Sequence, residues 1–317
     1  MTPSMHERAT PRLYLQLALV SAIWGGTFIA GRMLAGGLPP LLAASLRFSI
    51  ASLTLLAFLA ATRTPLVRPS RRQALHLLLL GLCGIFSYNL CFFYGLQQVS
   101  AARASLIVAL NPAMIALASA ALLKETLPPL KLAGVALCLA GAAWVIVGKN
   151  GDSLAAAHGW SGDLLILGCV ASWVAYSVGS RGLSLSLGPL QTVTWSILLG
   201  TAMLWSATWA LGAADFAAVA RLRPAQWGGL LYLGALGSAL AYIWYYDGIK
   251  RIGPTRSGAF IALNPLTAVL LGAALLGERL TPGMLAGGAL AIAGIALCNL
   301  GGGPVWRKPA SLPSRQT

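Results

Sequence analysis

The stretch that decides the fold runs from Arg103 to Ala143, RASLIVALNPAMIALASAALLKETLPPLKLAGVALCLAGAA. It aligns without a gap on Arg256 to Ala296, RSGAFIALNPLTAVLLGAALLGERLTPGMLAGGALAIAGIA, and 21 of the 41 positions are identical. Shared alanine and leucine are common in apolar sequences, but the shared Arg, Asn-Pro, Glu-x-Leu-x-Pro and glycine pair are not. Further upstream, Trp24 corresponds to Trp173 at an offset of 149. The chain therefore contains two copies of one unit.

The composition is that of a membrane protein. Of the 317 residues, 57% are hydrophobic and 9% are charged, and the mean hydropathy is +0.77. Soluble domains carry roughly 25% charged residues, so a soluble fold of this size could not bury so much apolar side chain. The net charge of +15 comes from 22 Lys and Arg spread along the chain. Since no basic run alternates with aromatic residues, a nucleic-acid partner is excluded.

Ten apolar windows are long enough to cross a bilayer, whose core of about 30 Å takes about 20 helical residues. Turn-forming residues separate these windows, for example Gly-Gly-Leu-Pro-Pro at 36–40. The windows lie at 14–33, 41–61, 75–96, 102–123, 130–148, 161–181, 189–211, 227–247, 256–276 and 282–301.

Each copy of the repeat holds five windows. After an odd number of crossings the second copy enters from the opposite face, which predicts inverted repeats of the kind found in secondary transporters. The predicted fold is an all-α integral membrane protein of ten transmembrane helices in two inverted five-helix repeats. The repeats cover 14–148 and 161–301, between tails at 1–13 and 302–317.

The distribution of positive charge predicts the orientation. With the N-terminus inside, the inner segments hold fifteen Lys and Arg and the outer segments hold six. Both termini are therefore predicted in the cytoplasm, with the protein in the plasma membrane (the inner membrane of a bacterium).

The chain resembles the EamA-type proteins of the drug/metabolite transporter superfamily from about residue 14 to residue 300. The resemblance is carried by WGGTFIAGR at 24–32, AASLRF at 43–48, ALNPAMIALASAALLKE at 109–125 and RSGAFIALNPLTAVLLGAALLGE at 256–278. It implies ten helices around a central cavity and the export or exchange of metabolites. Because related proteins carry amino acids, sugars or other solutes, it does not identify the substrate.

Asn111-Pro112 and Asn264-Pro265 are the same motif in the two copies, close to the middle of a predicted span. Proline removes an amide donor and frees the carbonyl four residues earlier, and in a membrane that polar backbone must face protein, water or a ligand. Paired interruptions of this kind indicate a transporter's binding site. The four residues are predicted to line the cavity. The alternative is a packing kink in which each Asn amide bonds the freed carbonyl.

Three further residues are predicted to line the cavity. Arg47 lies within the second span, where a charge costs at least roughly 2.5–3.5 kcal/mol near the centre. The resemblance implies an inward-facing role, and the alternative is an anchor whose side chain reaches the membrane surface. Trp24 and Trp173 sit in mid-helix, where they wall the cavity or pack between helices. Weaker candidates are Tyr88, Tyr242 and Tyr246.

Asp247 is an acidic residue at the end of the predicted span 227–247. Intramembrane carboxylates often relay protons in transporters, which makes it a candidate for ion coupling. Lys250 and Arg251 follow at the spacing of helical ion pairs, so the alternative is a structural anchor.

Two other patterns favour structural roles. Glu125 and Glu278 each precede Leu-x-Pro, and such an acid is predicted to cap the following helix. Gly283, Gly287 and Ala291 form a stripe of small residues suited to close helix packing, within a monomer or in a homodimer.

The sequence shows no catalytic or cofactor motif. Its five cysteines lie in apolar stretches, its three histidines are scattered, and no Ser-His-Asp set or phosphate-binding loop occurs. No enzyme activity, cofactor or metal is therefore predicted. The predicted function is secondary transport of a small metabolite, an amino acid or related solute, by alternating access and in the direction of export.

Three other functions are kept as alternatives. A membrane-embedded enzyme would need a reactive group of residues, and a signalling or scaffold protein would tend to show a sizeable soluble segment. A channel without gates fits paired kinked helices less well than an alternating site does.

Overall fold

The computed structural model describes residues 11–123, 127–147, 157–278 and 280–300, and every regular element in these ranges is helical. Glu125 lies outside the described residues. The first half contains α1 (Pro11–Leu34), α2 (Pro40–Ala61), α3 (Arg71–Leu80), a π-helical segment (Gly81–Ser87), α4 (Tyr88–Gln98), α5 (Ala101–Val108), α6 (Asn111–Leu123) and α7 (Pro129–Val147). The second half contains α8 (Ser161–Ser186), α9 (Pro189–Ala210), α10 (Phe216–Ala220), α11 (Pro224–Leu231), a second π-helical segment (Tyr232–Leu240), α12 (Ala241–Ala259), a 3-10 turn (Phe260–Leu263), α13 (Asn264–Leu276) and α14 (Pro282–Leu300).

Seven helical stretches within these described residues are long and apolar enough to cross a membrane. They are Pro11–Leu34, Pro40–Ala61, Arg71–Gln98, Ala101–Leu122, Pro129–Val147, Ser161–Ser186 and Pro224–Ala259. The three other predicted windows are helical too, as α9 and as the shorter apolar stretches 264–276 and 282–297. The all-helical membrane fold is confirmed, and the count of ten crossings stays a prediction.

Proline begins several of these helices. The amide at the first position of a helix has no carbonyl partner within the helix, so proline loses nothing there, and its fixed φ favours the first turn. The helices that begin in this way include those at Pro40, Pro129, Pro189, Pro224 and Pro282.

Helix continues beyond the predicted end of the eighth span at residue 247. It breaks sharply at Gly253, whose φ is 83° and ψ is 166°, and a further helical stretch follows to Ala259. Glycine adopts this backbone conformation at little cost, and Pro254 disfavours a helical conformation in the residue before it. The break therefore falls between the predicted eighth and ninth spans.

Glu278 does not cap the helix that follows it. Its two carboxylate oxygens accept hydrogen bonds from the backbone amides of Ala101 and Ala102, both at 2.9 Å, at the start of α5. Gly277 ends α13 in the left-handed conformation, with φ 63°, and this turn accompanies the return of Glu278 toward α5. Thr281 caps the start of α14 instead, accepting from the Met284 amide at 3.2 Å.

The small-residue stripe on α14 packs against α7 of the same chain. A Cβ atom added to Gly141 would lie 2.6 Å from both the Ala291 nitrogen and the Gly287 oxygen. Only glycine allows the two backbones to approach so closely. Gly287 and Ala291 are therefore occupied within the monomer, whereas a Cβ atom added to Gly283 would meet only ordinary contacts, at 3.8 Å from Thr281 and 3.9 Å from Trp144.

The two halves make matching helix contacts. In the second half α13 packs on α1, and in the first half α6 packs on α8, so each helix that begins at Asn-Pro contacts the first helix of the other half. Between the halves, α2 packs on α9 and α7 packs on α14. This packing brings both Asn-Pro motifs to the interface between the halves.

Candidate functional site

Seven residues named from the sequence line one cavity between the two halves: Trp24, Arg47, Asn111, Trp173 and Asn264, and the weaker candidates Tyr88 and Tyr242. The cavity has a volume of about 20 Å³, which is room for a single water molecule. The cavity is therefore nearly closed in this structure. The other lining residues are Thr27, Phe28, Val108 and Ile261.

Pro112 and Pro265 do not line this cavity. Each is the second residue of a helix that begins at its Asn, and in both copies the preceding backbone leaves the α-helical path. In the first copy α5 ends at Val108 and two turn residues follow, and in the second the 3-10 turn Phe260–Leu263 intervenes. The prolines thus shape the break beside each Asn, while Pro265 itself lies in an apolar groove along α14.

The Arg47 side chain is buried, with 3% of its surface exposed, and it points into the cavity. Its Nε donates to Ser238 Oγ at 2.9 Å and its Nη1 donates to Asn89 Oδ1 at 3.1 Å. The guanidinium carbon lies 5.2 Å from the ring centroid of Phe48 and 5.7 Å from that of Phe92. All of these partners are electrically neutral.

The carboxylates that the structure describes are engaged away from Arg47. Among the described residues, the charge of the buried guanidinium is therefore stabilised only by hydrogen-bonding dipoles and aromatic ring faces. The described acids and their partners are Asp163 with Arg103, Asp215 with Arg221, Asp247 with Arg251, and Glu278 with the start of α5.

The two π-helical segments position the partners of Arg47. Asn89 follows the first segment and donates from Nδ2 to the Ile85 carbonyl at 2.7 Å. Ser238 lies in the second and donates to the Leu233 carbonyl at 2.8 Å. Sequence reasoning missed both partners, and the signal for these segments was a Gly-x-x-Gly pattern that recurs at the repeat offset of 153. Its members are Gly81, Gly84, Gly234 and Gly237.

Aromatic rings form the largest part of the cavity wall. Trp24 and Trp173 meet edge to face with ring centroids 5.0 Å apart, and Trp173 lies 5.6 Å from Tyr88 and 5.4 Å from Tyr242. The indole nitrogen of Trp24 donates to the Gly237 carbonyl at 2.9 Å. The buried indole nitrogen of Trp173 makes no hydrogen bond of good geometry in the described structure, although the Tyr245 hydroxyl lies near it. This cavity wall therefore presents one unused hydrogen-bond donor.

The two asparagines of the repeated motif have different partners. With its amide nitrogen directed at the backbone, Asn264 donates to the carbonyls of Ser21 at 3.0 Å and Ile261 at 3.3 Å. The Ile261 carbonyl is the one that Pro265 frees. The buried Oδ1 of Asn111, by contrast, has no partner in the described structure. Asn111 thus offers the cavity an unused acceptor, and Asn264 is engaged by the backbone.

Asp247 lies away from the cavity. Its carboxylate pairs with Nε of Arg251, one helical turn later, at 2.8 Å, and both side chains are 29% exposed. The ion pair that the sequence offered as an alternative is therefore present.

A second, larger groove of about 1020 Å³ lies between α6, α7 and α8. Its walls are apolar apart from Arg181, and Leu122 and Leu185 are strongly exposed there. Because a solute is selected by several polar groups and this groove has few, it suits lipid chains better than a transported solute.

Comparison with known proteins agrees with this architecture. The EamA-like transporter family model matches residues 12–147 and 160–300. A solved structure described only as a crystal structure of a protein superimposes with a TM-score of 0.69 at 24% identity, covering 92% of this chain and 99% of that one. At that identity the likeness concerns the fold alone.

Curated relatives are similar over most of their length. The "Uncharacterized inner membrane transporter YedA" of Escherichia coli (strain K12) is 30% identical over 87% of each chain. The "Uncharacterized transporter YyaM" of Bacillus subtilis (strain 168) is 27% identical over 82% of this chain and 84% of its own. The "Probable terminal-alkyne amino-acid exporter" of Streptantibioticus cattleyicolor is 28% identical over 95% of this chain and 97% of its own.

The matched family model covers both halves of the sequence, and the relatives are transporters rather than enzymes. The helices are apolar and long enough for a membrane, and two interrupted helices meet at a central cavity. The chain is a multi-pass membrane protein that belongs to the EamA-like transporter family.

Proposed function

We propose that the chain is a secondary transporter that exports a small solute bearing a carboxylate, an amino acid or a related metabolite, by alternating access. The observation that carries this proposal is Arg47, a buried cation in the central cavity whose described partners are all neutral. The probable amino-acid exporter among the relatives supports both the substrate class and the direction.

The physical argument begins with the cost of burying a charge. An ionised group taken out of water is strongly disfavoured unless a counter-charge and hydrogen bonds replace its hydration. Ser238 and Asn89 supply hydrogen bonds to Arg47 but no negative charge. A solute carboxylate would supply that charge through the charge-assisted hydrogen bonds that guanidinium groups prefer. Arg47 is thus proposed as the anion-binding residue.

The remaining polar groups of the cavity specify more of the solute. The unpartnered Trp173 nitrogen could donate a hydrogen bond to the second oxygen of the carboxylate. The unpartnered Asn111 oxygen could accept one from an ammonium or hydroxyl group of the solute. Trp24 and Tyr242 provide ring faces against an apolar or cationic part. A small molecule with a carboxylate and an adjacent donor, such as an amino acid or hydroxy acid, matches this set.

The two-repeat architecture supports alternating access. Five-helix repeats over 14–148 and 161–301 with opposite orientations would place the Asn-Pro helices symmetrically about one site. The matching contacts of α13 with α1 and of α6 with α8 are what such a symmetry would produce. A cavity with room for one water must enlarge before it can admit a metabolite. We propose that rocking of the halves opens it to one face at a time, with both termini in the cytoplasm.

Counterflow in proteoliposomes tests the proposal. Vesicles loaded with unlabelled solute should accumulate the labelled form saturably, and a carboxylate should exchange where its matched carboxamide does not. Arg47→Gln should lower affinity for the carboxylate by roughly 10- to 150-fold, because hydrogen bonds to charged groups contribute about 1.5–3 kcal/mol. Arg71→Gln, at an exposed helix start, is the control and should change nothing. Equal exchange of acid and amide by the unmodified protein would refute carboxylate recognition.

A further inference from the structure

Buried charges join the ends of helices from the two halves. Arg103, in the first turn of α5, donates from Nε to Asp163 Oδ1 at 2.7 Å and from Nη2 to Asp163 Oδ2 at 3.1 Å. Asp163 lies in the first turn of α8, and the two side chains are 0% and 1% exposed. Arg103 Nη2 also donates to the Ile146 carbonyl near the end of α7, at 2.6 Å. The ion pair thus ties α5 and α7 to α8.

Glu278 adds a second connection at the same end of α5. Its carboxylate accepts from the amides of Ala101 and Ala102, which have no carbonyl partner within their own helix. A negative charge at this position also meets the positive end of the helix dipole. The Glu278 amide donates to the Gly272 carbonyl of α13 at 3.1 Å. Together, the bonds of the Glu278 carboxylate and amide hold the end of α13 against the start of α5.

These contacts lie on the path between the cavity and one face of the bundle. Arg103 precedes Asn111 by eight residues and Asp163 precedes Trp173 by ten. At 1.5 Å per residue, the charged contacts lie about 12–15 Å along α5 and α8 from the cavity residues. The helix ends that they join across the two halves, α5 with α8 and α5 with α13, must separate before a solute can pass between the halves on this side.

Among the described residues, the opposite end of the bundle holds no equivalent ion pair. In the repeat alignment Arg103 corresponds to Arg256, which is exposed rather than buried. Asp163 corresponds, at the offset of 149, to Tyr14, which has no charge and stacks on Phe260 with ring centroids 5.9 Å apart. In the part of the chain that the structure describes, the buried ion pair is therefore found at one of the two ends that the repeat relates and not at the other.

We propose that Arg103, Asp163 and Glu278 form the gate that closes this end of the solute pathway. Each transport cycle would break both the Arg103–Asp163 ion pair and the contact of Glu278 with α5, because each joins one half of the protein to the other. The inference rests on the proposed alternating-access function. With both termini in the cytoplasm, the gate faces outward, and the empty carrier is held closed on that side, as an exporter requires.

Thiol labelling measures the gate without any solute. In protein whose five native cysteines are replaced by alanine, Thr27→Cys places a thiol in the cavity, and a membrane-impermeant maleimide is added to one face at a time. Separate protein with Ala157→Cys, on the exposed turn before α8, identifies the face that bears the gate. Asp163→Asn should accelerate labelling of the cavity thiol at least tenfold from that face alone. Asp163→Glu, which keeps the charge, should stay slow.

Asp215→Asn is the matched control, since it makes the same change in an ion pair that is exposed and 3.9 Å long. If Asp163→Asn does not fold, Glu278→Gln decides by the same criterion, because it preserves the shape of the side chain and removes only its charge. Labelling at the unmodified rate, or equal acceleration from both faces, would overturn the gate. A protein that labels as expected but exchanges no carboxylate in counterflow would refute the proposed substrate and leave the gate intact.

Discussion

Trp24 and Trp173 meet edge to face in the centre of the bundle, their ring centroids 5.0 Å apart and their planes at 83°. They occupy corresponding positions in the two halves, yet they differ in hydrogen bonding. Trp24 donates to the Gly237 carbonyl, whereas the Trp173 nitrogen is buried without a partner in the described structure. The pair therefore divides into one residue that holds the structure and one that is free to bind.

This difference predicts that replacement by phenylalanine mainly lowers stability at Trp24 and mainly weakens solute binding at Trp173. Trp24→Phe should destabilise the protein by about 0.5–1.5 kcal/mol, because it removes a buried hydrogen bond to the Gly237 carbonyl. Trp173→Phe removes no existing hydrogen bond and should cost less stability, while weakening solute binding by roughly 2- to 12-fold, the value of about 0.5–1.5 kcal/mol for one hydrogen bond. Thermal unfolding in detergent and counterflow affinity measure the two effects. Equal loss of stability in both variants would contradict the assignment.

The two asparagines should separate in the same way. Asn111→Ala should lower transport by roughly 5- to 150-fold at normal folded yield, because the variant loses only a group that faces the cavity. Asn264→Ala should lower the thermal midpoint, since it removes the side-chain donor to the Ser21 and Ile261 carbonyls. Purified yield, thermal unfolding and counterflow distinguish the two. Normal transport by a well-expressed Asn111→Ala variant would favour the packing interpretation for both.

Asp247 should behave as a structural anchor. Because its partner Arg251 lies one turn away and both are partly exposed, Asp247→Asn should cost about 0.3–0.5 kcal/mol of stability. We expect any dependence of transport on a proton gradient to survive the substitution. Flux measured with and without an imposed gradient tests this. Loss of the gradient dependence with exchange retained would instead identify Asp247 as the coupling residue.

Gly287, at the centre of the contact between α7 and α14, should not tolerate a larger side chain. Gly287→Ala would place a Cβ 2.7 Å from the Gly141 carbonyl and should destabilise by about 1–3 kcal/mol, as overpacking does. Gly283→Ala on the same helix is the control, because its nearest atom, on Thr281, is 3.8 Å away. Thermal unfolding of the two variants provides the comparison. Equal midpoints would show that the helices adjust without cost.

Reporter fusions test the proposed orientation. A reporter active only in the cytoplasm should work when fused at residue 317 or in the segment 62–73, and it should be silent at 149–160. The expectation follows from the fifteen-to-six distribution of positive charge. Activity at 149–160 with silence at 62–73 would reverse the topology. The gate formed by Arg103 and Asp163 would then face the cytoplasm.

Some features of the cavity could be predicted because they depend on local chemistry. The helix breaks at Asn111 and Asn264 follow from the proline after each, whatever surrounds them. Cavity positions for Trp24 and Trp173 followed from their correspondence in the repeat. Asn89 and Ser238 were missed because two π-helical segments rotate the following residues relative to an α-helical pattern, and the recurring Gly-x-x-Gly pattern was not recognised.

By itself, the sequence determined the membrane environment, the helical segments and the division into two related halves, because each depends on the length and period of apolar residues along one chain. Only the tertiary structure decided which carbonyl each polar group meets. Asn111 and Asn264 share one motif, and among the described residues only the Asn264 side chain has backbone partners. Glu278 lies next to α14 in sequence but caps α5, because a left-handed glycine turns the chain toward the other half. Hydrogen bonds and ion pairs act over about 3 Å, so their partners are selected by packing between distant segments.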